Sequence, residues 1–205
     1  MKLALGIKQG MTQVFDGEGN IFPATIIVAG PMTVTHVKTL EKDGYNSIQL
    51  GFTEAKEKHV SKAVQGHLKG AGKLFRHLKE VRQEKIDENT KAGNEIPLAE
   101  IFKVGDVVEV SGISKGKGFQ GVVKRHGFKG GRRSHGQKHS EREPGSIGGG
   151  GRAGGRVIKG MRMAGRMGSD RVTVKNLKVL QLNGDTLVIS GAVPGRRGTL
   201  VEIRG

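Results

Sequence analysis

The chain has no cysteine and no tryptophan, and its 205 residues include only one tyrosine and seven phenylalanines. The absence of cysteine excludes disulfide bonds, thiol catalysis and cysteine-ligated zinc, and it fits a reducing compartment. The shortage of aromatic residues argues against binding single-stranded nucleic acids by base stacking. The sequence has no apolar run of about 18 residues and turns polar soon after Leu5, so we expect neither a membrane span nor a secretory signal peptide.

What the chain has in excess is positive charge, with 35 Lys and Arg against 19 Asp and Glu and a formal net charge of +16. The excess is concentrated in residues 112–168, which we call the cationic segment. This segment holds 14 of the Lys and Arg and 18 of the 35 Gly, but only two acids, Glu141 and Glu143. Its apolar residues are too sparse to offset the entropy of ordering the chain. We therefore predict that it takes its shape from a phosphate backbone, and the scarcity of aromatics favours folded RNA.

Short runs of aliphatic and β-branched residues at both ends of the chain predict a mainly β protein. The runs lie at residues 2–8, 11–15, 21–28, 33–39, 47–52, 107–110, 171–182, 186–189 and 199–203. Turn chemistry separates several of them, at residues 16–20 and at Asp43-Gly44. Asn183-Gly184 is a strong hairpin signal, because both residues tolerate a positive φ.

We predict a small antiparallel β-barrel, closed or sandwich-like, that is built from three stretches, residues 1–53, 94–111 and 169–205. Residues 54–93 are predicted to form a polar insertion subdomain, and the cationic segment a long extended arm. Within the insertion, Leu74, Leu78 and Val81 recur at helical spacing. They predict one short helix, with a strand as the open alternative because the run is short.

The hexapeptide GKGFQG at residues 116–121 matches the glycine fingerprint of dinucleotide-binding folds. That fingerprint needs a helix directly after the glycines, whereas residues 122–127 favour a strand or loop. We prefer a loop in which Gly116, Gly118 and Gly121 let the backbone approach phosphate closely while Lys115 and Lys117 supply charge. Neither Gly-Lys pair of the chain precedes Ser or Thr, so a Walker A motif is absent.

The cationic segment contains only weak signals of a metal site or of a catalytic residue. His135 and His139 could share a metal on a helix, but Gly136 argues against a helix, and contacts of the histidines with phosphate or ribose are preferred. Glu141 and Glu143 lie among basic residues, where ion pairing or solvation explains them. We predict no catalytic residue, metal ligand or cofactor, apart from Mg²⁺ ions that could bridge the protein to RNA.

Residues 161–167 read MRMAGRM and alternate apolar with basic side chains. This pattern predicts an edge strand or extended segment. We expect its methionines to pack against the barrel, and Arg162 and Arg166 to point outward onto phosphates.

The longest motif reads SKGKGFQGVVKR over residues 114–125. Others stand in a fixed order around it: GIKQGMT at 6–12, GHLK at 66–69, SHG at 134–136, PGSIG at 144–148, KGMRMAGRMG at 159–168, RVTV at 171–174 and GAVPG at 191–195. With these motifs the chain resembles the bacterial large-subunit ribosomal protein L3 family along nearly its whole length.

The resemblance implies a barrel of the translation-protein type and an arm that runs through large-subunit ribosomal RNA toward the peptidyl transferase centre. It implies a structural role without enzymatic activity, binding near the 3′ end of that RNA, and help in early assembly. The implied partners are this RNA and neighbouring ribosomal proteins in the cytoplasmic ribosome, with no membrane and no small-molecule substrate.

Two positions depart from the family's pattern. Several relatives carry a methylated glutamine after the PGSIG motif, where this chain has Gly149-Gly150-Gly151. The acidic residues Glu141 and Glu143 also stand where relatives tend to be basic or neutral, so an RNA contact there requires a bound cation or an inward turn of the chain.

We therefore predict an RNA-binding protein in which twelve cations contact phosphate: Lys115, Lys117, Lys124, Arg125, Arg132, Arg133, Lys138, Arg152, Arg156, Lys159, Arg162 and Arg166. Two rival functions fit parts of the sequence. A DNA-compacting protein would share the charge but bind duplex DNA comparably. A nucleotide-dependent RNA-modifying enzyme would use the glycines of residues 116–121.

Overall fold

The computed structural model of the protein describes residues 2–84, 86, 90–149, 151 and 154–205. The described residues form twelve strands: β1 Leu3–Phe15, β2 Ile21–Val28, β3 Met32–Lys38, β4 Ser47–Glu54, β5 Phe75–Arg82, β6 Glu95–Ile96, β7 Val107–Ile113, β8 Phe119–Gln120, β9 Gly165–Arg166, β10 Arg171–Asn183, β11 Thr186–Ser190 and β12 Leu200–Arg204. They also form four short helices: α1 Leu40–Asp43, α2 Lys62–Leu68, α3 Leu98–Ile101 and α4 Val122–His126. Single 3₁₀ turns lie at Glu57–His59 and Lys69–Ala71.

Six strands close into an antiparallel barrel in the order β1-β12-β7-β10-β11-β2, with β2 pairing back onto β1. The closure joins the two ends of the chain, since Leu3 pairs with Arg204 and Ile7 with Leu200. Inward-facing aliphatic side chains such as Leu5, Ile27 and Ile203 are buried. The structure therefore confirms the predicted mainly β fold and its closed antiparallel barrel.

A second, four-stranded sheet has the order β5-β4-β3-β6. Residues 33–52, which were predicted to belong to the barrel, therefore form a separate sheet with β5 from the predicted insertion and with β6 from the predicted barrel stretch 94–111. Val34 and Leu50 from this sheet share one core with the barrel residues and with Leu98 and Phe102 at α3. This core explains why the sheet packs with the barrel although none of its strands joins it.

The predicted helix through Leu74, Leu78 and Val81 was wrong. Residues 75–82 form β5, which pairs antiparallel with β4 from Ser47↔Arg82 to Glu54↔Phe75. A run this short has little helix stability of its own, so hydrogen bonding to a neighbouring strand and packing of Val81 on the core override its helical spacing.

Both predicted turns between barrel strands are present. The Asp16 carboxylate accepts hydrogen bonds from the backbone N–H groups of Glu18 (3.0 Å) and Asn20 (2.8 Å), which closes the turn from β1 to β2. The hairpin between β10 and β11 is confirmed, with Asn183 paired to Thr186 so that the two-residue turn starts at Gly184. β1 is one continuous strand that bridges the predicted runs 2–8 and 11–15 through an irregularity between Lys8 and Gly10.

The chain divides into two compact units. The first, which we call the barrel unit, comprises Met1–Ile113 and Arg171–Gly205 and contains the barrel and the second sheet. The second, which we call the cationic unit, is Ser114–Asp170 and contains all the residues predicted to bind phosphate. Its regular structure is β8, β9 and α4, and between α4 and β9 its described residues form turns, bends and irregular chain.

Candidate nucleic-acid interface

The two ends of the cationic unit meet in a short antiparallel ladder. Backbone N–H groups donate from Ser114 to the Asp170 carbonyl (2.9 Å) and from Lys117 to the Met167 carbonyl (2.8 Å). β8 and β9 continue the ladder, with Phe119 opposite Arg166. The Lys115, Lys117 and Arg166 side chains are exposed along it, so three predicted phosphate contacts share one ordered element.

Some of the glycines in this ladder are required by its own backbone geometry. Gly168 has a φ of +78°, and a Cβ there would collide with the backbone oxygen of Lys115. Gly118 also has a positive φ, of +70°, but its Cβ position is open. A Cβ on Gly116 would lie 2.8 Å from the Ser169 hydroxyl, whereas Gly121 has no neighbour within 4 Å. Of the three glycines predicted to allow close approach, Gly118 and Gly121 therefore leave open space at the Cβ position.

The residues after the glycines form α4, so the predicted strand or loop over 122–127 was wrong. Val122 is buried at its start, and Gly127 ends it in the left-handed conformation, where its N–H donates to the carbonyls of Val122 and Val123. This C-cap stabilises a helix that the β-branched pair Val122-Val123 would otherwise disfavour.

The helix does not restore a dinucleotide site. The Lys117 N–H and the Gly118 carbonyl both bond to Met167, so backbone groups of the glycine stretch are occupied within the ladder. The preceding barrel strand β7 ends at Ile113, and α4 has only five residues. A fingerprint glycine loop instead joins a strand directly to a full helix whose amino terminus faces the pyrophosphate.

α4 is tied to the segment before β9 by two side chains. The Arg125 guanidinium Nη1 donates to the Met163 carbonyl at 2.7 Å, and His126 Nε2 lies 3.0 Å from the same oxygen. Gly165 provides the space for this guanidinium, because a Cβ there would lie 2.6 Å from Nη1. Arg125 is half-buried and has a structural role, although its five N–H donors leave capacity for a phosphate.

The alternating run 161–167 shows alternating burial. Met161, Met163 and Met167 are half-buried, whereas Arg162 and Arg166 are exposed. Only Gly165–Arg166 is regular strand, and the rest of the run has no regular structure, with a bend at Ala164.

Most of the predicted phosphate contacts that the structure describes are exposed to solvent. Ten of the twelve cations are exposed, Arg125 is half-buried, and Arg152 lies outside the described residues. Among the described residues, Arg133 is the only one of the twelve in an ion pair, with its Nε 2.7 Å from Glu141 Oε1. The Glu141 backbone carbonyl also accepts the Gly131 N–H at 2.9 Å. Glu141 is thus engaged inside the unit, as the ion-pair explanation predicts.

The predicted set omitted two exposed cations of the same unit, Lys129 and Arg142. Both lie in the glycine-rich, basic stretch that identified the other cations, so the sequence alone could have predicted them as phosphate contacts. The predicted set also omitted the Phe119 side chain, which is 73% exposed on β8, opposite Arg166. His135 adopts a positive φ of 59° in a turn, so the spacing of His135 and His139 does not place them on one helical face. In the described parts of the chain, no group of three or more His, Asp and Glu side chains could hold a metal ion.

The barrel unit contains a different kind of charge cluster, centred on Glu202 of β12. Arg171 donates to both carboxylate oxygens, at 3.0 and 2.7 Å, and Lys79 Nζ lies 2.9 Å from Oε1. Burial raises the pKa of Glu202, but hydrogen bonds from Arg171 and Lys79 outweigh it and lower the pKa to about 2. The network links β12, β10 and β5, so it holds barrel and second sheet together inside one unit.

Fold and charge together define a basic β-barrel protein whose Lys and Arg residues are densest in one unit, where only one ion pair forms among the described residues. No helix among the described residues is long and apolar enough to cross a membrane.

The family model described as "Ribosomal protein L3" matches residues 76–187. The "Large ribosomal subunit protein uL3" of Roseiflexus sp. (strain RS-1) is 51% identical over 202 residues, covering 98% of this chain and 95% of that protein. The uL3 of Herpetosiphon aurantiacus is 49% identical, with 97% and 93% covered. That of Saccharopolyspora erythraea is 52% identical, with 100% and 94% covered. The chain therefore belongs to the ribosomal protein L3 family.

Family membership makes this chain a structural, non-enzymatic protein of the large ribosomal subunit and places it in translation, within the cytoplasmic ribosome. The rival prediction of a nucleotide-dependent RNA-modifying enzyme was therefore wrong.

Proposed function

We propose that the protein binds large-subunit ribosomal RNA near its 3′ end through the cationic unit, aids early assembly and supports the RNA around the peptidyl transferase centre. The observation that carries the binding proposal is the set of exposed, unpaired cations in a unit that has almost no core. The RNA region, the assembly step and the catalytic-centre support rest on the likeness to the family.

The physical mechanism is counterion release together with close backbone contacts. Each Lys or Arg that neutralises a phosphate frees condensed cations, so affinity falls steeply as salt rises. Such contacts position the protein on folded RNA without reading bases. The candidate contacts are the eleven described members of the predicted set together with Lys129 and Arg142. Arg152 belongs to the proposal on sequence grounds alone.

The ladder gives the unit one place where phosphate contacts are held in order. Lys115, Lys117 and Arg166 project from paired backbone, so less entropy is lost when they bind than for side chains on irregular chain. We propose that this ladder is the first part of the unit to dock.

The proposal includes a candidate Mg²⁺ contact at one acidic residue of the cationic unit. Glu141 is already neutralised by Arg133, whereas Glu143 is exposed and has no ion pair among the described residues. We therefore expect Glu143, rather than Glu141, to face any Mg²⁺ that bridges protein and phosphate. Replacing Glu143 with Gln should then reduce the Mg²⁺ dependence of binding, and replacing Glu141 should not.

The test is a salt titration of binding to a large-subunit RNA fragment from the 3′ region. If about eight phosphates are neutralised, the plot of log affinity against log salt should have a slope of roughly −6 to −7. A quadruple Gln variant at Lys115, Lys117, Lys124 and Arg166 should reduce the slope to about −3 to −4. A slope near −2 for the unaltered protein would show that most of these cations stay solvated.

The matched control removes four charges from the barrel unit, as Gln at Lys42, Lys62, Lys103 and Lys175, which are all exposed. Its net charge equals that of the first variant, and its slope should stay within about one unit of the unaltered protein's. Equal losses in both variants would mean that net charge alone governs binding. Duplex DNA at the same salt should compete poorly, and comparable affinity for it would contradict recognition of folded RNA.

A further inference from the structure

β1 and β2 continue past the barrel as a two-stranded ribbon. β1 pairs with β12 only through Ile7, and β2 pairs with β11 only from Ala24 onward. The two strands nevertheless stay paired with each other up to Phe15 and Ile21. Residues 11–22, which we call the ribbon, therefore lack a third strand, and isolated two-stranded ribbons are marginally stable in water.

The ribbon carries exposed apolar side chains. Met11 and Ile21 are each 55% exposed, Phe15 is 63% exposed and Phe22 is 41% exposed. Phe15 stands directly opposite Ile21, and Met11 lies on the same face because alternate residues of a strand share a face. An open groove on this face is lined by Met11, Gln13 and Phe15. Contiguous exposed apolar surface of this kind marks a site of association.

The ribbon also lacks the charge that RNA would require. Residues 9–37 contain none of the 35 Lys and Arg of the chain, and their only Asp or Glu residues are Asp16 and Glu18, in the ribbon's turn. Hydrogen bonds from the Asn20 side chain and from backbone N–H groups lower the pKa of Asp16, so it stays ionised. A phosphate backbone would be repelled by this tip and would leave the apolar face uncovered.

We propose that the ribbon is a docking site for a cationic protein segment, whose apolar side chains cover Met11, Phe15 and Ile21 and whose Lys or Arg side chains meet Asp16 and Glu18. The proposal deepens the proposed function and rests on it, because the partner is a second basic protein of the same subunit. Apolar burial supplies the affinity, and the acidic tip selects a positively charged partner over RNA.

The first experiment uses the absence of cysteine. Gln13→Cys introduces a thiol in the ribbon that is the only one in the free protein, and it is labelled there with a photoreactive benzophenone before the variant is assembled into large subunits. We expect crosslinks to one basic subunit protein. Crosslinks to ribosomal RNA or to a second copy of this chain would overturn the proposal, as would a labelled ribbon that yields no crosslink. Lys42→Cys, on α1, is the control and should not give the same crosslinked protein.

The second experiment separates this proposal from RNA binding. Ile21→Glu should reduce the yield of the crosslink from Gln13→Cys at least tenfold, while the free protein keeps its RNA affinity within twofold and its salt slope unchanged. Val107→Glu is the matched control, because Val107 is also 55% exposed but lies on β7, outside the ribbon. It should leave the crosslink intact.

Failure of the docking proposal and failure of the RNA-binding proposal give different experimental results. An unchanged crosslink in Ile21→Glu would overturn the docking site without affecting the proposed function. A shallow salt slope in the unaltered protein, with the crosslink present, would overturn RNA binding by the cationic unit and leave the ribbon contact standing.

Discussion

The barrel unit and the cationic unit differ in how many of their charged side chains form ion pairs. Of the eight ion pairs among the described residues, seven lie in the barrel unit, and Arg133–Glu141 is the only one in the cationic unit. Among the buried hydrophobic side chains of the described residues, only Val122 belongs to the cationic unit. The barrel unit is stabilised by its own packing and pairs several of its charges internally, whereas the cationic unit leaves nearly all of its described charges open to an external polyanion.

The largest expected difference between the units is in proteolysis of the free protein. Trypsin should cut within residues 125–160 at least about 100-fold faster than in the barrel strands, because cleavage there requires no global unfolding. Arg132 and Lys178 are a matched pair of exposed sites, but Lys178 lies in a strand and pairs with Val107. Mass spectrometry of early fragments would report the order, and early cleavage within β10 to β12 would mean that the core is misassigned.

A pair of phenylalanines tests where the folding free energy resides. Phe102 is 1% exposed in the core of the barrel unit, and Phe119 is 73% exposed in the cationic unit. Phe102→Ala should lower the free energy of unfolding by about 3–5 kcal/mol, whereas Phe119→Ala should change it by about 0.5 kcal/mol or less. Urea denaturation measures both, and equal losses would contradict the contrast between the units.

The Glu202 network should make the barrel unit sensitive to acid. Because its folded pKa of about 2 lies below that of an unfolded Glu, near 4.3, its stabilisation is complete above about pH 4.5 and is lost as the pH falls toward 2. Glu202→Gln should therefore cost about 2 kcal/mol at pH 7 and flatten the acid side of the stability curve.

Stability curves from pH 7 to pH 2 would check this expectation. Glu100→Gln is the control, since Glu100 is exposed and makes no ion pair among the described residues. If the two variants lost stability equally at pH 7, the network would contribute nothing.

The smallest expected effect concerns the ladder at the start of the cationic unit. Gly168→Ala places a Cβ against the Lys115 backbone oxygen at a positive φ and should weaken RNA binding about fivefold, with unchanged global stability. Gly118→Ala has the same backbone penalty without the collision, so it should weaken binding about twofold. Filter binding at fixed salt distinguishes them, and equal effects would show that the order of the ladder does not matter for binding.

Much of the fold could be read from local sequence. The aliphatic runs became strands close to their predicted bounds, and Asn183-Gly184 marked the β10–β11 hairpin, because alternation and turn chemistry depend on neighbouring residues. The pairing partners of those strands could not be predicted from the sequence. β3 and β4 joined β5 and β6 rather than the barrel, and β5 had looked helical, because strand pairing is settled by burial far along the chain.

The same division applies to the candidate interface. Composition alone located the cations and glycines, since charge density needs no coordinates. The structural roles within that set needed the structure. The bond from Arg125 to Met163 spans 38 residues, and the Arg133–Glu141 pair depends on the backbone contact between Gly131 and Glu141.

By itself, the sequence determined that this protein is mainly β, cysteine-free and strongly basic, with its excess charge in one coreless stretch, because these properties follow from residue identities and local spacing. Only the tertiary structure decided which cations are neutralised, which strands close the barrel and which apolar ribbon is left without a third strand. Those outcomes depend on contacts between residues that are distant in sequence, and their free energies belong to the packed molecule rather than to any one segment.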